Sequence, residues 1–358
     1  MKPPAMSALA ILAALLLHPP AAVAQASAVE RIYADLAKLP AAERQKRLEE
    51  GARKEGKLVL VHTMRGNLST DHVALFRKRY RFLTVELEGD IGSQDAAERL
   101  YAEETAGRHF TDLINVGLPD LATLTAKNML ARMPTKAIEA VLPPYRSFID
   151  GEGRWTPWYW SEHGISYNSR LVPKDKVPTG WNDLCNPFFK GSVSFDPAED
   201  RYLSGLYAML GEQATETLLK CIGDNDPIIQ RGHTQRIELM LAGDHMLQGD
   251  NYLYHGIYLQ RKNPSAPYAI VYSAPALGFA GVAAINKNAQ HPYAAALWTD
   301  WTLTEDSQKF VAGLLRGPVA LKHPYLPDSM KIITYNDAPP DVIKRLLGHW
   351  NKYVAKRH

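Results

Sequence analysis

The chain has 358 residues, of which 46% are hydrophobic and 22% are charged, and its formal net charge at pH 7 is +3. At ~100–200 residues per domain, this length predicts two domains with substantial cores. The near balance of 41 basic and 38 acidic side chains argues against nucleic acid as a partner, because that contact depends on a basic patch.

The first 26 residues, MKPPAMSALAILAALLLHPPAAVAQA, predict a secretory signal peptide. They carry one lysine, an apolar run from Ala8 to Leu17, and small residues that allow cleavage after Ala24 or after Ala26. The apolar run is about half of the ~20 residues that a membrane-spanning helix needs. The mature chain is therefore expected to be soluble and exported.

The first part of the mature chain alternates helices and strands. Residues 29–54 read as helical material that ends at Gly56. Strand patterns follow at 57–63, 84–90 and 111–117, and each is followed by a helical segment. Strands that alternate with helices of this length predict an α/β fold with a mostly parallel sheet.

The second part begins after a stretch rich in Pro, Gly and aromatic residues at 141–161. The segment HGISYNS resumes a strand pattern at 163–169. Further strand patterns are SVSFDP, HMLQGDNYLY, PYAIVYS and FAGVAAI, with helical segments between the first two of them and again after the last. The segment HMLQGDNYLY covers residues 245–254 and is predicted as one continuous strand.

The sequence carries none of the spacings that common enzyme chemistries demand. G-x-S-x-G, H-E-x-x-H, C-x-x-C, the P-loop and G-x-G-x-x-G are all missing. Glu162–His163 and Asp244–His245 are adjacent acid–histidine pairs, but neighbours on a strand point to opposite faces. A binding function is therefore favoured, and an exported enzyme acting on a small molecule stays as the alternative.

One segment resembles a known family. VPTGWNDLCNPFFKGSVSFDPAED is similar to the pattern P-x-x-W-x-D-L-x-x-P-x-[FW]-K-G-x-[VI]-x-x-x-D-P of periplasmic solute-binding proteins of ABC importers, in the subgroup related to ferric-ion-binding proteins. Further similar segments follow the family order: EGKLVLVHT, AEETAGRHFTDLINVG, HGISYNSRLVP, ELMLAGD and GFAGVAAINKNAQHPYAAALWTDWTLTEDSQKFVA. The resemblance therefore extends over nearly the whole mature chain.

The resemblance implies the type II periplasmic-binding-protein fold, in which two α/β lobes close on a ligand cleft. It implies that lobe 1 holds residues 27–165 and 279–358, with an N-terminal helical extension, and that lobe 2 holds residues 166–278. Ile165 to Asn168 would be one crossing hinge strand, and a second crossing would lie near Ala274 to Val282.

The function implied by the resemblance is that of the substrate-binding subunit of an ABC importer. Such a protein captures a small solute by lobe closure and delivers it to a membrane permease. We expect a monomer with no built-in cofactor, and the captured solute would be either ferric iron, alone or as a complex, or a small organic anion.

The ferric hypothesis depends on tyrosines. The resemblance implies an adjacent Tyr-Tyr pair with a His or carboxylate, because Fe³⁺ favours oxygen ligands. This chain has Asn251-Tyr252-Leu253-Tyr254 in the matching place, so one tyrosine of the adjacent pair is lost. Tyr252 and Tyr254 would still share one face of a strand. Asp250 on the same segment and His62 at the end of the first strand are further candidate ligands, and the candidate metal set is Tyr254, Tyr252 and His62.

The anion hypothesis depends on Arg65 and on predicted helix starts. Arg65 precedes a helix that Ser69 or Thr70 is predicted to cap, so a guanidinium and free backbone N–H groups would lie together. Ser93 marks a second helix start. The residues Arg201 and Tyr202 mark a third helix start.

Two features stay open in the sequence. Cys185 and Cys221 are the only cysteines, and they form either a disulfide, as export would favour, or two buried thiols. The aromatic cluster of Trp155, Trp158, Tyr159 and Trp160 provides either packing between the lobes or a stacking wall for the ligand.

Overall fold

A computed structural model describes residues 26–64, 66–197, 200–335 and 338–356. The predicted signal peptide, except for Ala26, lies outside the described residues, and so does Arg65. None of the described helices is both long enough and apolar enough to cross a membrane.

The strands form one continuous mixed sheet. Its main order is β2-β1-β3-β9-β4-β7-β5-β6, with β10 and β8 paired to β4 and β11 paired to β9. The strands are β1 Lys57–His62, β2 Thr84–Glu88, β3 Leu113–Gly117, β4 Thr156–Asn168, β5 Val193–Phe195, β6 Ile228–Ile229, β7 Leu247–Tyr252, β8 Tyr268–Ile270, β9 Ala276–Ile285, β10 Gly317–Pro318 and β11 Ile332–Thr334. Each end of the main order is parallel, whereas the pairs β3–β9, β9–β4 and β4–β7 are antiparallel.

Helices cover both faces of this sheet. They are α1 Ala28–Ala37, α2 Ala41–Glu55, α3 Asn67–Arg79, α4 Ser93–Thr105, α5 Ala122–Ala126, α6 Asp200–Leu210, α7 Glu212–Asp224, α8 His233–Ala242, α9 Leu253–Lys262, α10 Pro292–Trp301, α11 Glu305–Gly313 and α12 Pro340–His349. The helix α2 ends at Gly56 in the left-handed region (φ 68°), which glycine adopts at little cost.

Two hydrophobic clusters are joined by the long strands β4 and β9. From β4, Trp158 lies in the first cluster and Ile165 in the second. From β9, Val282 lies in the first cluster and Leu277 in the second. The same two strands therefore pass through both halves of the molecule, and the predicted α/β type II fold with crossing strands is confirmed.

The C-terminal segment differs from the expected lobe assignment. The sequence predicted that residues 279–358 belong to lobe 1. Val342, Leu346 and Trp350 lie instead in the second cluster, because the apolar face of α12 packs against α6 and α7. The chain thus crosses from the first cluster to the second once more, after β10.

Three local predictions are also settled. Helix α3 begins at Asn67 after Gly66, so Ser69 and Thr70 lie inside its first turn and neither caps it. The strand predicted for 245–254 ends at Tyr252, because helix α9 begins at Leu253. Cys185 and Cys221 form a disulfide with their Cα atoms 5.6 Å apart.

Candidate functional site

The carboxyl ends of strands from both halves of the sheet face each other. In an open α/β sheet this is the edge at which ligands bind. The end of β3, the starts of α4 and α6, the end of β7 and the start of α9 meet there. They bring together four of the predicted site residues, which are Ser93, Arg201, Tyr252 and Tyr254.

An ion pair joins the two halves at this edge. Nη2 of Arg201, on α6, lies 2.9 Å from Oδ2 of Asp120, which follows β3. Ser93 Oγ donates a hydrogen bond to the same carboxylate oxygen and accepts one from the Gly117 N–H at 2.8 Å. The guanidinium of Arg201 also lies 5.0 Å from the ring centre of Phe279. Arg201 is therefore held from the first half of the sheet by a carboxylate.

A second guanidinium belongs to Arg316, which directly precedes β10. Its Nη1 donates to Ser161 Oγ at 2.8 Å. Its Cζ lies 4.6 Å from the ring centre of Tyr254 and 5.7 Å from that of Tyr159. Among the described residues, no carboxylate oxygen lies within 4.0 Å of Arg316. This cation is therefore framed by aromatic rings and a hydroxyl, and the buried carboxylate of Glu162 acts on it only from beyond 4.0 Å.

The two tyrosines lie between the guanidiniums, with ring centres 5.7 Å apart. Tyr252 also forms a hydrogen bond with Arg201. Tyr254 lies on the first turn of α9 and not on a strand, so its proximity to Tyr252 comes from the strand-to-helix turn. Burial raises the pKa of the Tyr254 phenol, against the opposing effect of Arg316. The phenol of Tyr254 is therefore protonated at neutral pH.

Three histidines surround the tyrosines. The ring centres of His163 and His233 lie 4.3 and 4.7 Å from that of Tyr252, and the ring of His255 lies 4.3 Å from that of Tyr254. Burial lowers the pKa of all three histidines, for His255 to about 4. At neutral pH these rings therefore contribute neutral polar surface, and the positive charge of the site comes from the arginines.

His62 does not join this group, contrary to the sequence prediction. Its side chain is fully buried among His72, Trp158 and Trp298. Its Nε2 lies 3.1 Å from His72 Nδ1, and its Nδ1 accepts a hydrogen bond from the Met64 N–H at 3.2 Å. The end of β1 thus directs this ring into the first hydrophobic cluster, which makes His62 a core residue.

The buried His62 leads to a pH prediction. Burial lowers the pKa of His62 to about 3 in the folded protein, whereas the ordinary value is 6.5. Between these values the unfolded chain binds the extra proton, so stability is full above pH 6.5 and falls as the pH drops. At about 1.4 kcal/mol per pH unit, the expected contribution of His62 to the loss at pH 5 is about 2 kcal/mol. Urea unfolding at pH 7.5 and pH 5 measures this loss.

The variant His62→Gln should reduce the pH dependence by about this amount, while other buried histidines such as His163 and His255 keep contributing. The matched control is His109→Gln, at a side chain that is 31% exposed. An unchanged pH dependence in His62→Gln would show that other groups cause the acid sensitivity.

Tyr202 and Asp250 also serve the core instead of the cleft. Tyr202 is fully buried, and its ring packs near those of Trp181 and Trp350. Asp250 is fully buried and pairs with Arg236, at 2.6 Å between Oδ1 and Nη1. Because that ion pair occupies its carboxylate, the structure places Asp250 in the core and not beside the tyrosines.

The aromatic cluster divides between packing and the site. Trp158 and Trp160 are fully buried, and Trp155 donates its indole N–H to the Phe148 carbonyl at 3.1 Å. Tyr159 alone of the four lies near Arg316, because alternate residues of β4 point to opposite faces. The three tryptophans therefore provide packing.

Sequence reasoning missed Arg316, Asp120, His233, His255 and Phe279. Arg316 follows α11 in the short run LLRGPV, where no periodic pattern or motif marks it. Asp120 lies in LPDL, which reads as an ordinary helix start. A proline followed by an acid after a buried strand was the one signal that could have identified Asp120.

A bound metal ion needs several donor side chains that lie close together. In the parts of the chain that the structure describes, no group of three or more His, Cys, Asp or Glu side chains is arranged to hold one. Tyr252 and Tyr254 could supply oxygen ligands to a metal ion, but the guanidinium of Arg201 lies beside Tyr252 and that of Arg316 lies beside Tyr254. Like charges repel, so the arginines oppose the entry of a cation between these rings.

A family model described as bacterial extracellular solute-binding protein matches residues 119–335. The chain belongs to this family. The matched range contains Asp120, Arg201, Tyr252, Tyr254 and Arg316, so most of the site lies within the part that defines the solute-binding proteins. No curated protein matches this solute-binding chain.

Solved structures share the fold of this solute-binding protein. Iron-bound HitA from Pseudomonas aeruginosa has a TM-score of 0.68 and 16% identity, over 83% of this chain and 99% of HitA. AfuA from Actinobacillus pleuropneumoniae, with fructose-6-phosphate bound, has a TM-score of 0.64 and 18% identity, over 84% of this chain and 99% of AfuA. A third structure is the spermidine/putrescine ABC transporter substrate-binding protein PotD from Streptococcus pneumoniae, in complex with calcium and HEPES. It has a TM-score of 0.66 and 16% identity, over 84% of this chain and 99% of PotD. Their ligands differ, so the shared fold does not identify the solute.

Proposed function

We propose that this solute-binding protein is the periplasmic subunit of an ABC importer and that it captures a small organic anion. The observation that carries the proposal is Arg316, a partly buried guanidinium without a carboxylate within 4.0 Å among the described residues. It lies between rings at the edge where both halves of the sheet meet.

An acidic ligand group is the natural partner for this arrangement. A guanidinium presents a planar fork of donors that matches a carboxylate or a phosphate in a bidentate way. One acidic group can bind Arg316, while Tyr254 and Tyr159 provide flat walls for the ligand body. Arg201 offers a second guanidinium from α6.

The proposed ligand-binding residues come from both halves of the sheet, so a bound ligand would favour lobe closure. Asp120 and Ser93 belong to the first half of the sheet, whereas Arg201 and Tyr252 belong to the second. A ligand that contacts both groups binds the closed arrangement better than the open one, and it shifts the equilibrium towards closure. We propose that the permease recognises the closed form and that the solute leaves unchanged, so the protein acts as a carrier and not as an enzyme.

The lobe boundaries are part of the proposal. Lobe 1 comprises residues 27–165 with residues from 279 to the end of β10, and lobe 2 comprises residues 166–278 with α12. The protein acts as a monomer, exported with the help of the N-terminal signal. We propose Ser93, Arg201, Tyr252 and Tyr254, together with Arg316, as the ligand-binding residues.

Asp120 tunes the affinity in this proposal. Its carboxylate competes with the ligand for Arg201, so Asp120→Asn should strengthen binding of the anion about fivefold, which corresponds to roughly 1 kcal/mol. Isothermal titration calorimetry measures this change, with the exposed Asp306→Asn on α11 as the control. Weaker binding by Asp120→Asn would mean that the carboxylate accepts a hydrogen bond from the ligand.

Ferric iron is the second candidate, because Tyr252 and Tyr254 lie 5.7 Å apart and HitA, a structure of the same fold, is iron-bound. Binding Fe³⁺ requires deprotonated phenols, and burial raises the pKa of Tyr254. The neighbouring arginines add a repulsive charge. We therefore expect the anion to bind in preference to the metal.

One titration series separates the candidates. The metal-stripped mature protein is titrated with hexose phosphates, citrate and alkylphosphonates by calorimetry, and with ferric citrate by visible absorption. Saturable binding of an iron-free anion supports the proposal. A one-to-one tyrosinate–iron absorption band without binding of any iron-free anion would replace it with the ferric function.

A further inference from the structure

A separate cavity opens between the N-terminal helices and the body of lobe 1. Its volume is about 590 Å³, and none of the residues that line it belongs to the cleft. Arg79 lines it at the C-terminal end of α3, whose first residue, Asn67, comes shortly after the carboxyl end of β1. A 13-residue helix is about 20 Å long, so the cavity lies at the far end of α3.

The walls of this cavity are apolar on one side. Trp301 is fully buried, and Tyr80 is nearly so. Leu39 and Ala41 continue this wall on α2 and the segment before it. The Tyr80 hydroxyl accepts a hydrogen bond from the Gln45 amide at 3.3 Å, which fixes the ring in place.

The charged residues of the lining carry more positive than negative charge, and the guanidinium of Arg79 lies 5.6 Å from the ring centre of Tyr80. Arg44 pairs with Asp300, and Asp300 also accepts a hydrogen bond from Thr135 Oγ1 at 2.8 Å. The Nε of Arg44 is buried and has no hydrogen-bond partner among the described residues. Arg79 and Lys136 are exposed, and neither has a carboxylate within 4.0 Å in the described parts of the chain. Glu139 is the remaining acidic side chain of the lining.

We propose that this cavity is a second ligand site, independent of the cleft, which takes a small amphipathic organic anion. Its apolar or aromatic body would lie against Trp301, Tyr80 and Leu39, and its acidic group would bind Arg79 and Lys136. Cavities of roughly 300–1,000 Å³ hold small organic ligands, usually with an apolar wall and a few convergent polar groups.

Two features of the chain support an independent site. The lining residues of α2 and α3 precede residue 119, so the match to the solute-binding family does not include them. The helices α1 and α2 are fixed to lobe 1, because Tyr33 of α1 donates a hydrogen bond to the Pro292 carbonyl at 2.8 Å and Arg44 of α2 pairs with Asp300 of α10. The cavity therefore lies within one lobe and does not depend on lobe closure.

The test uses the aromatic sulfonate 8-anilinonaphthalene-1-sulfonate as the probe, with fluorescence titration of the mature protein. The double variant Arg79→Ala/Lys136→Ala should weaken the probe affinity at least tenfold. The matched control Arg77→Ala/Lys78→Ala removes two exposed positive charges from the same turn of α3 and should stay within twofold of the wild type. A second variant, Ala41→Trp, fills the cavity from an exposed position and should also abolish binding.

Three results would overturn the proposal. The first is no saturable binding of the probe by the wild-type protein. The second is an equal loss of probe affinity in the control and in the cavity variants, which would indicate non-specific attraction of the probe to positive charge. The third is probe binding that is lost in Arg316→Ala and retained in the cavity variants, which would locate the probe in the cleft.

Discussion

Replacing Arg316 with alanine is expected to weaken binding of the anionic solute about 100-fold. A charge-assisted hydrogen bond contributes about 1.5–3 kcal/mol, and a bidentate contact makes two of them. A loss of about 3 kcal/mol corresponds to two orders of magnitude in affinity. Calorimetry with the best anion from the titration series measures the effect.

Two further variants make this result specific. Arg316→Lys keeps the charge but loses the planar fork, so we expect a loss of about tenfold. Arg261→Ala removes an exposed arginine from the last turn of α9 and should leave the affinity unchanged. Thermal melting of each free variant shows that it is folded.

The same variant discriminates between the two candidate solutes by the sign of the effect. If the solute is an anion, Arg316→Ala weakens binding. If the solute is Fe³⁺ held by Tyr252 and Tyr254, removing a neighbouring positive charge strengthens binding. An unchanged affinity for both solutes would remove Arg316 from the binding site.

Loss of the disulfide is expected to destabilise lobe 2 by about 3–4 kcal/mol. Cys185 ends the short helix Trp181–Cys185, Cys221 lies on α7, and the two cysteines are 36 positions apart in the sequence. Closing a loop of this length reduces the entropy of the unfolded chain by an amount that corresponds to this free energy. The variant Cys185→Ser/Cys221→Ser should therefore unfold at a clearly lower urea concentration than the wild type.

Reduction provides the internal control for this prediction. Adding reductant to the wild-type protein should shift its unfolding midpoint to that of the double variant and should not change the double variant itself. If the free energy of unfolding falls by less than about 1 kcal/mol, packing around α7 stabilises lobe 2 sufficiently without the cross-link.

The architecture could be predicted well from the sequence, because its signals are local. The strand patterns at 57–63 and 111–117 and the segment that begins at Trp181 each follow from a few neighbouring residues. The lobe to which α12 belongs could not be predicted in this way, since it depends on contacts with α6 and α7, which lie far away in the chain.

The site was predictable only where a helix start or strand end marks it. Ser93 and Arg201 stand at helix starts and meet at Asp120, as the fold requires. His62 also ends a strand, but periodicity does not tell which face of β1 is covered by helices. The ion pair of Asp250 could not be predicted because its partner, Arg236, comes from another element, and Arg316 follows α11 without any pattern.

The terminal helices attach to different lobes. Tyr33 of α1 packs in the first cluster, whereas Leu346 of α12 packs in the second. Any change in the angle between the lobes therefore changes the separation between these two helices. A donor dye attached near α1 and an acceptor dye attached near α12 would convert solute capture into an optical signal, so the connectivity of this chain makes it a ready scaffold for a biosensor.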